Sequence, residues 1–175
     1  MTANLRKASI NGDFLAQGHR ISAEVVLRAG TLIDMLNDAT TSYLRVENVY
    51  VSPITDPAVL SANYSVGQLR KDNLSMVVVA APDQAISRRP GVYTQGRQIT
   101  FDTFMTVPGF EIRGGIRIEL AVDVERLFIY GSDRFVAVFD ATATVTMNPS
   151  VQFTGGAILV NRTQIGIFAM EKRPA

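Results

Sequence analysis

The sequence has no cysteine and no tryptophan among its 175 residues, and it has a single histidine, His19. Without cysteine, a disulfide, a thiolate metal site, an iron–sulfur cluster and a cysteine nucleophile are all excluded. With one imidazole, a multi-histidine metal site cannot form within one chain, and a histidine-dependent catalytic set has only His19 to use. We therefore predict a protein that is not an enzyme and that needs no cofactor or metal.

Charge of one sign and long apolar runs are also scarce. The 17 basic and 16 acidic side chains leave a formal net charge of +1, which gives no general reason to expect nucleic acid or an anionic membrane as partner. The longest apolar run, 76–81, is far shorter than the roughly 20 residues of a membrane helix. The N-terminus lacks the apolar core of a secretion signal. These features predict a cytoplasmic protein that does not insert into membranes.

The residues that are present predict a folded, mainly β protein. Apolar residues make up 47% of the chain and charged residues 19%, which is typical of a chain with a core. Apolar residues alternate with period two at 21–27 and again at 112–118, as in strands with one buried face. A short helix is expected after each of these strands, capped by Thr31 in the first half and by Asp123 in the second.

The two halves of the chain resemble each other. Three pairs of segments can be aligned: 18–27 with 109–118, 41–51 with 133–143, and 69–79 with 160–170. The spacings of 91, 92 and 91 residues are nearly constant, which indicates an internal duplication. We therefore predict two tandem small β-barrel units at 8–82 and 98–172, each with one short helix, joined by a linker at 83–97. An extra strand is expected at 98–107.

Short motifs add a resemblance to known small barrels. The segment ILVNRTQIGIFAM at 158–170 resembles the last two strands of Sm-like barrels, which are joined by a tight polar turn. Arg20-Ile21-Ser22, Leu36-Asn37 and Tyr43-Leu44 occur in the order found in an uncharacterised bacterial family of tandem small β-barrel domains. The resemblance implies the fold and the duplication, and it implies no catalytic or ligand-binding residues.

The function predicted from these features is non-catalytic. A duplicated, apolar and nearly neutral body suits an interaction or scaffold protein that forms homo-oligomers or docks another protein. We expect it to do so through the barrel edges and through a long connection at 52–68.

Other functions remain open at this stage. Two equivalent basic turns, containing Arg70 and Lys71 in one half and Asn161 and Arg162 in the other, could serve an oligonucleotide-binding barrel pair. A second basic cluster comprises Arg88, Arg89 and Arg97.

A third hypothesis makes His19 a catalytic base oriented by Asp13 or Glu24. Phe110 stands at the duplicate position, however, so we interpret His19 as a packing position with a polar tip. Several aspartates could suggest a cation site, but Asp34, Asp38 and Asp123 are better explained as helix caps and solvated positions.

Overall fold

The computed structural model describes residues 8–28, 30–86, 98–119, 128 and 131–172. Ten strands lie in these residues: β1 (Ser9–Ala16), β2 (His19–Val26), β3 (Tyr43–Pro53), β4 (Ala62–Arg70), β5 (Leu74–Val79), β6 (Gln98–Val107), β7 (Phe110–Glu119), β8 (Phe135–Val145), β9 (Gln152–Asn161) and β10 (Ile167–Lys172). The described helices are short: α1 (Leu32–Asn37), α2 (Pro82–Ala85), and single 3-10 turns at Lys71–Asn73 and Arg162–Gln164. The predicted mainly β class is confirmed.

All ten strands form one open antiparallel sheet in the order β10-β6-β7-β8-β9-β5-β1-β2-β3-β4. The sequence led us to expect two closed barrels, whereas the ladders run as a single line with β10 and β4 at its ends. The first half does not close on itself because β5 pairs with β9 and not with β4. One edge of β5 pairs with β1, and on its other edge Val78 lies opposite Ile158 of β9.

The same strand order and register occur in both halves. The first half runs β5-β1-β2-β3-β4 and the second β10-β6-β7-β8-β9. Leu44 lies opposite Leu69 in the β3–β4 ladder, and Val136 lies opposite Val160 in the β8–β9 ladder. We call two residues counterparts when they are 91 or 92 positions apart and hold the same place in these ladders.

Backbone irregularities also fall on counterparts. Gly18 and Gly109 turn the β1–β2 and β6–β7 hairpins, each with φ of +85°, a conformation that only glycine adopts easily. The β2–β3 and β7–β8 ladders each shift register once, near Asn48 and Asp140. These two residues have φ of +51° and +48°, which asparagine and aspartate tolerate better than other side chains.

Two apolar cores lie on opposite faces of the sheet at β5 and β9, the strands that contribute side chains to both cores. Phe14, Leu36 and Val77 belong to the first core, and Met105 and Ile112 belong to the second. Neighbouring residues of β5 and β9 alternate between the two cores because successive side chains of a strand point to opposite faces. The apolar sequence of β5, LSMVVV, is therefore that of a strand buried on both faces.

Several local predictions can be compared with the structure. The helix expected after Thr31 is confirmed as α1, and the Thr31 N–H donates to Asp34 Oδ2 at 2.9 Å. The strand at 98–107 is confirmed as β6, but it is not extra, because β1 has the same place in the first half. The connection predicted over 52–68 is wrong in extent, since β4 begins at Ala62.

Other predictions fall outside the described residues. These are the second helix at Asp123, of which only Phe128 is described, and Arg88, Arg89 and Arg97. The predicted linker at 83–97 is described only as far as residue 86, and its first residues belong to α2.

Candidate functional site

The contact between β5 and β9 joins the two halves, and we call it the junction. Met76 lies opposite Val160 and Val79 lies opposite Ala157, with the intervening residues paired in step. All eight paired side chains are buried. The junction thus combines a strand ladder with apolar packing on both of its faces.

Helix α1 adds a polar contact across the two halves. The Asn37 side chain accepts a hydrogen bond from the Phe135 N–H at 2.7 Å and donates one to the Phe135 carbonyl at 3.2 Å. Asn37 therefore supplies both bonds that a neighbouring strand would supply to the first residue of β8. The sequence offered little signal for this role, because Asn37 stood out only through the resemblance.

Glycines allow the backbones to approach closely just past the junction. A Cβ placed on Gly156 would lie 2.5 Å from the Ala80 carbonyl oxygen, and one on Gly155 would lie 2.6 Å from that of Val79. Side chains at these two positions would push the end of β5 away from β9. Their counterparts in β4 are Tyr64 and Ser65, which have side chains and are exposed.

The two ends of the sheet are formed by β4 and β10, which correspond to β9 and β5 of the junction but are not covered by a neighbouring strand in the described part of the chain. Within the described residues, no strand pairs with the outer edge of β4 or of β10. Val66 of β4 is 45% exposed and Ile167 of β10 is 57% exposed. Their counterparts at the junction, Ala157 and Met76, are both fully buried. We call β4 and β10 the open edges.

A groove of about 800 Å³ lies beside the open edge β4. Its lining includes Tyr43 and Arg45 of β3, Gln68 of β4, and Lys71. Tyr43 is 53% exposed, whereas its counterpart Phe135 is 1% exposed because the first core and α1 cover it. The groove therefore marks the place where the first half lacks the cover that the second half receives.

The structure brings the two basic turns together. Gln164 Nε2 in the second turn donates to the Asp72 carbonyl in the first at 2.8 Å. Arg70 is exposed, and its Nε lies 3.6 Å from Asp72 Oδ2. Arg162 Nη1 donates to the Phe128 carbonyl at 3.0 Å.

Lys71, predicted as part of a binding surface, is only 1% exposed. Its Nζ donates to the Asp38 carbonyl and to Thr41 Oγ1, both at 2.8 Å. Burial lowers the pKa of Lys71 because it removes water from the ammonium group, and the positive charge of Arg134 lowers it further, while the negative charge of Asp38 acts in the opposite direction. Lys71 holds together the chain that follows α1.

Asn161 is also buried. Its Nδ2 donates to the Leu74 carbonyl at 2.8 Å, and its Oδ1 accepts from the Thr163 N–H at 3.1 Å. Two of the four residues predicted for oligonucleotide binding thus have their polar groups engaged inside the fold. Oligonucleotide binding remains a prediction.

The residues of the catalytic hypothesis do not meet around His19. His19 is exposed and shares the parity of Ile21 along β2, whereas Ser22 and Glu24 point to the other face. Asp13 is on that other face, where it accepts hydrogen bonds from Ser22 and from Arg20 Nη2. Hydrogen bonds from Ser9 and Asn48 lower the pKa of Glu24. Among the described residues, no three His, Asp or Glu side chains are grouped so that they could hold a metal ion.

Comparisons with known proteins add no relative. No protein-family model matches the chain, and no curated protein or solved structure shows significant similarity to it. The resemblance to tandem small-barrel proteins therefore stays a prediction. In the part of the chain that the structure describes, no helix has the length and apolar character needed to cross a membrane.

Proposed function

We propose that this protein is a non-catalytic structural or scaffold protein that associates with copies of itself, or docks another protein, through the open edges β4 and β10. One observation carries this proposal. Within the chain, the fourth strand of the second half, β9, pairs with the fifth strand of the first half, β5. The fourth strand of the first half, β4, and the fifth strand of the second half, β10, lie exposed at the two ends of the sheet.

We further propose that each half is one small β-barrel unit, opened between its fourth and fifth strands, and that the two units arose by duplication. The common strand order, the common register and the paired positive-φ residues support this interpretation. A duplicated unit explains why the same contact is satisfied at the junction and open at the ends.

The chemistry of the open edges favours association. An unpaired edge strand presents free N–H and C=O groups to any other strand, and natural proteins usually protect such an edge with charges or proline. In β4, Tyr64 and Val66 are exposed, and in β10, Ile167 and Met170 are exposed. Within β10, charged residues occur only at its far end, at Glu171 and Lys172.

Static light scattering over a range of protein concentrations tests the proposal. We expect a mass that is a multiple of 19.1 kDa for the natural protein. Val66→Lys and Ile167→Lys should each weaken association about tenfold or more, because a charge would replace an apolar contact at the edge. Glu111→Lys, on the exposed face of the inner strand β7, is the control and should leave the mass unchanged. A strict monomer that also captures no partner protein contradicts the proposal.

The alternative function is oligonucleotide binding, and the meeting of the two basic turns favours it. An arginine surface would give RNA an affinity that falls steeply with salt. Replacing Arg70 and Arg162 by alanine should then weaken binding at low salt. Because the chain has no tryptophan, nucleic acid that copurifies would be conspicuous in the ultraviolet absorbance. An RNA affinity that is undetectable or insensitive to salt excludes this function.

A further inference from the structure

We infer that β10 of one copy pairs antiparallel with β4 of the next copy, in the register of the junction, so that copies join head to tail. This inference rests on the proposed self-association and specifies its geometry. Met76 lies opposite Val160 within the chain, so their counterparts Ile167 and Leu69 should lie opposite each other between copies. By the same rule, Met170 of one copy should lie opposite Val66 of the next.

The exposure of the open edges follows the junction at most positions, the exception being Met170, which is 39% exposed although its counterpart Val79 lies in the core of its own half. At the junction, Val160 lies in the core of its own half, and Leu69 in β4 likewise packs against its own core. Ala157 and Leu159 enter the core of the other half, and their counterparts in β4, Val66 and Gln68, are exposed.

Strand β10 shows the same pattern. Phe168 packs against the core of its own half, as its counterpart Val77 does in β5. Met76 and Val78 of β5 enter the core of the other half, and their counterparts Ile167 and Ala169 are exposed. At both open edges, the exposed side chains include those whose counterparts at the junction are buried in the core of the other half.

The occupant of each edge is a second copy of this chain. Each chain carries one open fourth strand and one open fifth strand, and the junction pairs a fourth strand with a fifth. A contact of this kind uses different surfaces on the two partners. Repetition then produces a closed ring or a filament.

The pairing should end at Val66. Beyond the junction, Gly155 and Gly156 make room for the end of β5, but β4 has Tyr64 and Ser65 there. The chain after Met170 therefore has to leave the edge of β4. The contact comprises four residue pairs, from Ile167 with Leu69 to Met170 with Val66.

The absence of cysteine allows a direct test, because introduced thiols are the only ones present. Residues directly opposite in an antiparallel pair have Cβ atoms about 4.5–5.5 Å apart, near the reach of a disulfide. We would build V66C/M170C and, separately, L69C/I167C. These pairs lie three residues apart along the ladder, so one of them is a non-hydrogen-bonded pair, in which side chains are closer.

Each double variant would be oxidised in its native state and run on a non-reducing gel. We expect a ladder of covalent multimers from at least one double variant. A mixture of the two single variants of that pair should give a covalent dimer, whereas each single variant alone should remain monomeric. Q68C/M170C is shifted by two residues and is the matched control, with a several-fold lower yield.

The outcomes separate the register from the association itself. Cross-linking in the expected register, together with an oligomeric mass for the unmodified protein, supports the inference. An oligomeric mass with efficient cross-linking of V66C to itself, or with the shifted pair cross-linking best, overturns the inference and leaves self-association intact. A monomeric mass at every concentration, without cross-linking, overturns both self-association and the head-to-tail contact.

Discussion

The two halves of this protein share a strand order and a register, but they differ in what covers their fourth and fifth strands. In the second half, the fourth strand β9 is buried against the first half, while β4 is exposed. In the first half, the fifth strand β5 is buried, while β10 is exposed. The difference shows that the burial of a strand here depends on its neighbour and not on its place within its half of the chain.

The sequences of the strands follow the same division. β5 is apolar on both faces, and β9 has glycines where another backbone passes. At the corresponding places, β4 has Tyr64 and Ser65, and β10 has four consecutive apolar residues followed by two charged ones. β4 is thus more polar than the junction, which agrees with the proposed contact between separate copies.

The sharpest test of this comparison is a core deletion at the junction. Leu159 is fully buried, and Leu159→Ala should lower the free energy of unfolding by about 2–5 kcal/mol, because it removes apolar packing and leaves a cavity. Its counterpart in β4 is the exposed Gln68. Gln68→Ala should change stability by no more than about 0.5 kcal/mol. Urea unfolding of both variants measures the difference, and equal losses would contradict the distinction between junction and edge.

The second test adds a methyl group where the backbones approach. In Gly156→Ala, the new Cβ would lie 2.5 Å from the Ala80 carbonyl oxygen, which is backbone and cannot rotate away. We expect a loss of about 1–3 kcal/mol from the strain of overpacking. The control is Ser65→Ala at the counterpart position, with a change within about 0.5 kcal/mol. A Gly156→Ala variant as stable as the natural protein would show that the backbones of β5 and β9 can move apart here without loss of stability.

The third test removes the polar link between α1 and β8. Asn37→Ala leaves both the N–H and the carbonyl of the buried Phe135 without their side-chain partner. Such a loss costs about 1–3 kcal/mol per buried group left unsatisfied. Hydrogen exchange at Phe135 should accelerate as well. Asn63→Ala, at an exposed asparagine of β4, is the control, and an equal loss there would mean that the contact with Phe135 is not the cause.

Sequence reasoning reached the elements of this fold more easily than their arrangement. Alternation predicted β2 and β7, the Thr31 cap predicted α1, and the constant spacing predicted that the halves correspond. The pairing of β5 with β9 is a long-range contact that alternation does not encode. One signal for it was available, because the unbroken apolar run at 76–79 is typical of a strand buried on both faces.

The basic turns show why the candidate site was harder to predict than the fold. Lysine is almost never fully buried, so the sequence around Lys71 indicated a solvated cation. Its burial depends on the carbonyl of Asp38 and the hydroxyl of Thr41, which lie 33 and 30 residues earlier in the chain. The open edges had no signature of their own either, because β4 and β10 are exposed for lack of a neighbouring strand among the residues that the structure describes.

The smallest expected effect compares, by pH, the buried Lys71 with its partly buried counterpart Arg162. Lys71 and its counterpart Arg162 each donate to a backbone carbonyl of their own half. Burial holds the pKa of Lys71 in the folded protein below its ordinary value of 10.5, which the unfolded chain retains. Between these two pKa values, the unfolded state binds more protons than the folded state, so the free energy of unfolding rises with pH in that window.

Lys71→Met removes this titration, and Arg162→Met, which removes the cation at the counterpart position, is the control. We therefore expect the gap in stability between the natural protein and Lys71→Met to change as pH rises towards 10.5, in favour of the natural protein. The gap between the natural protein and Arg162→Met should stay constant. Urea unfolding at several pH values measures both gaps. If the two stability gaps instead change with pH in the same way, burial does not destabilise the charged form of Lys71, and Lys71 and Arg162 stabilise their turns in the same way.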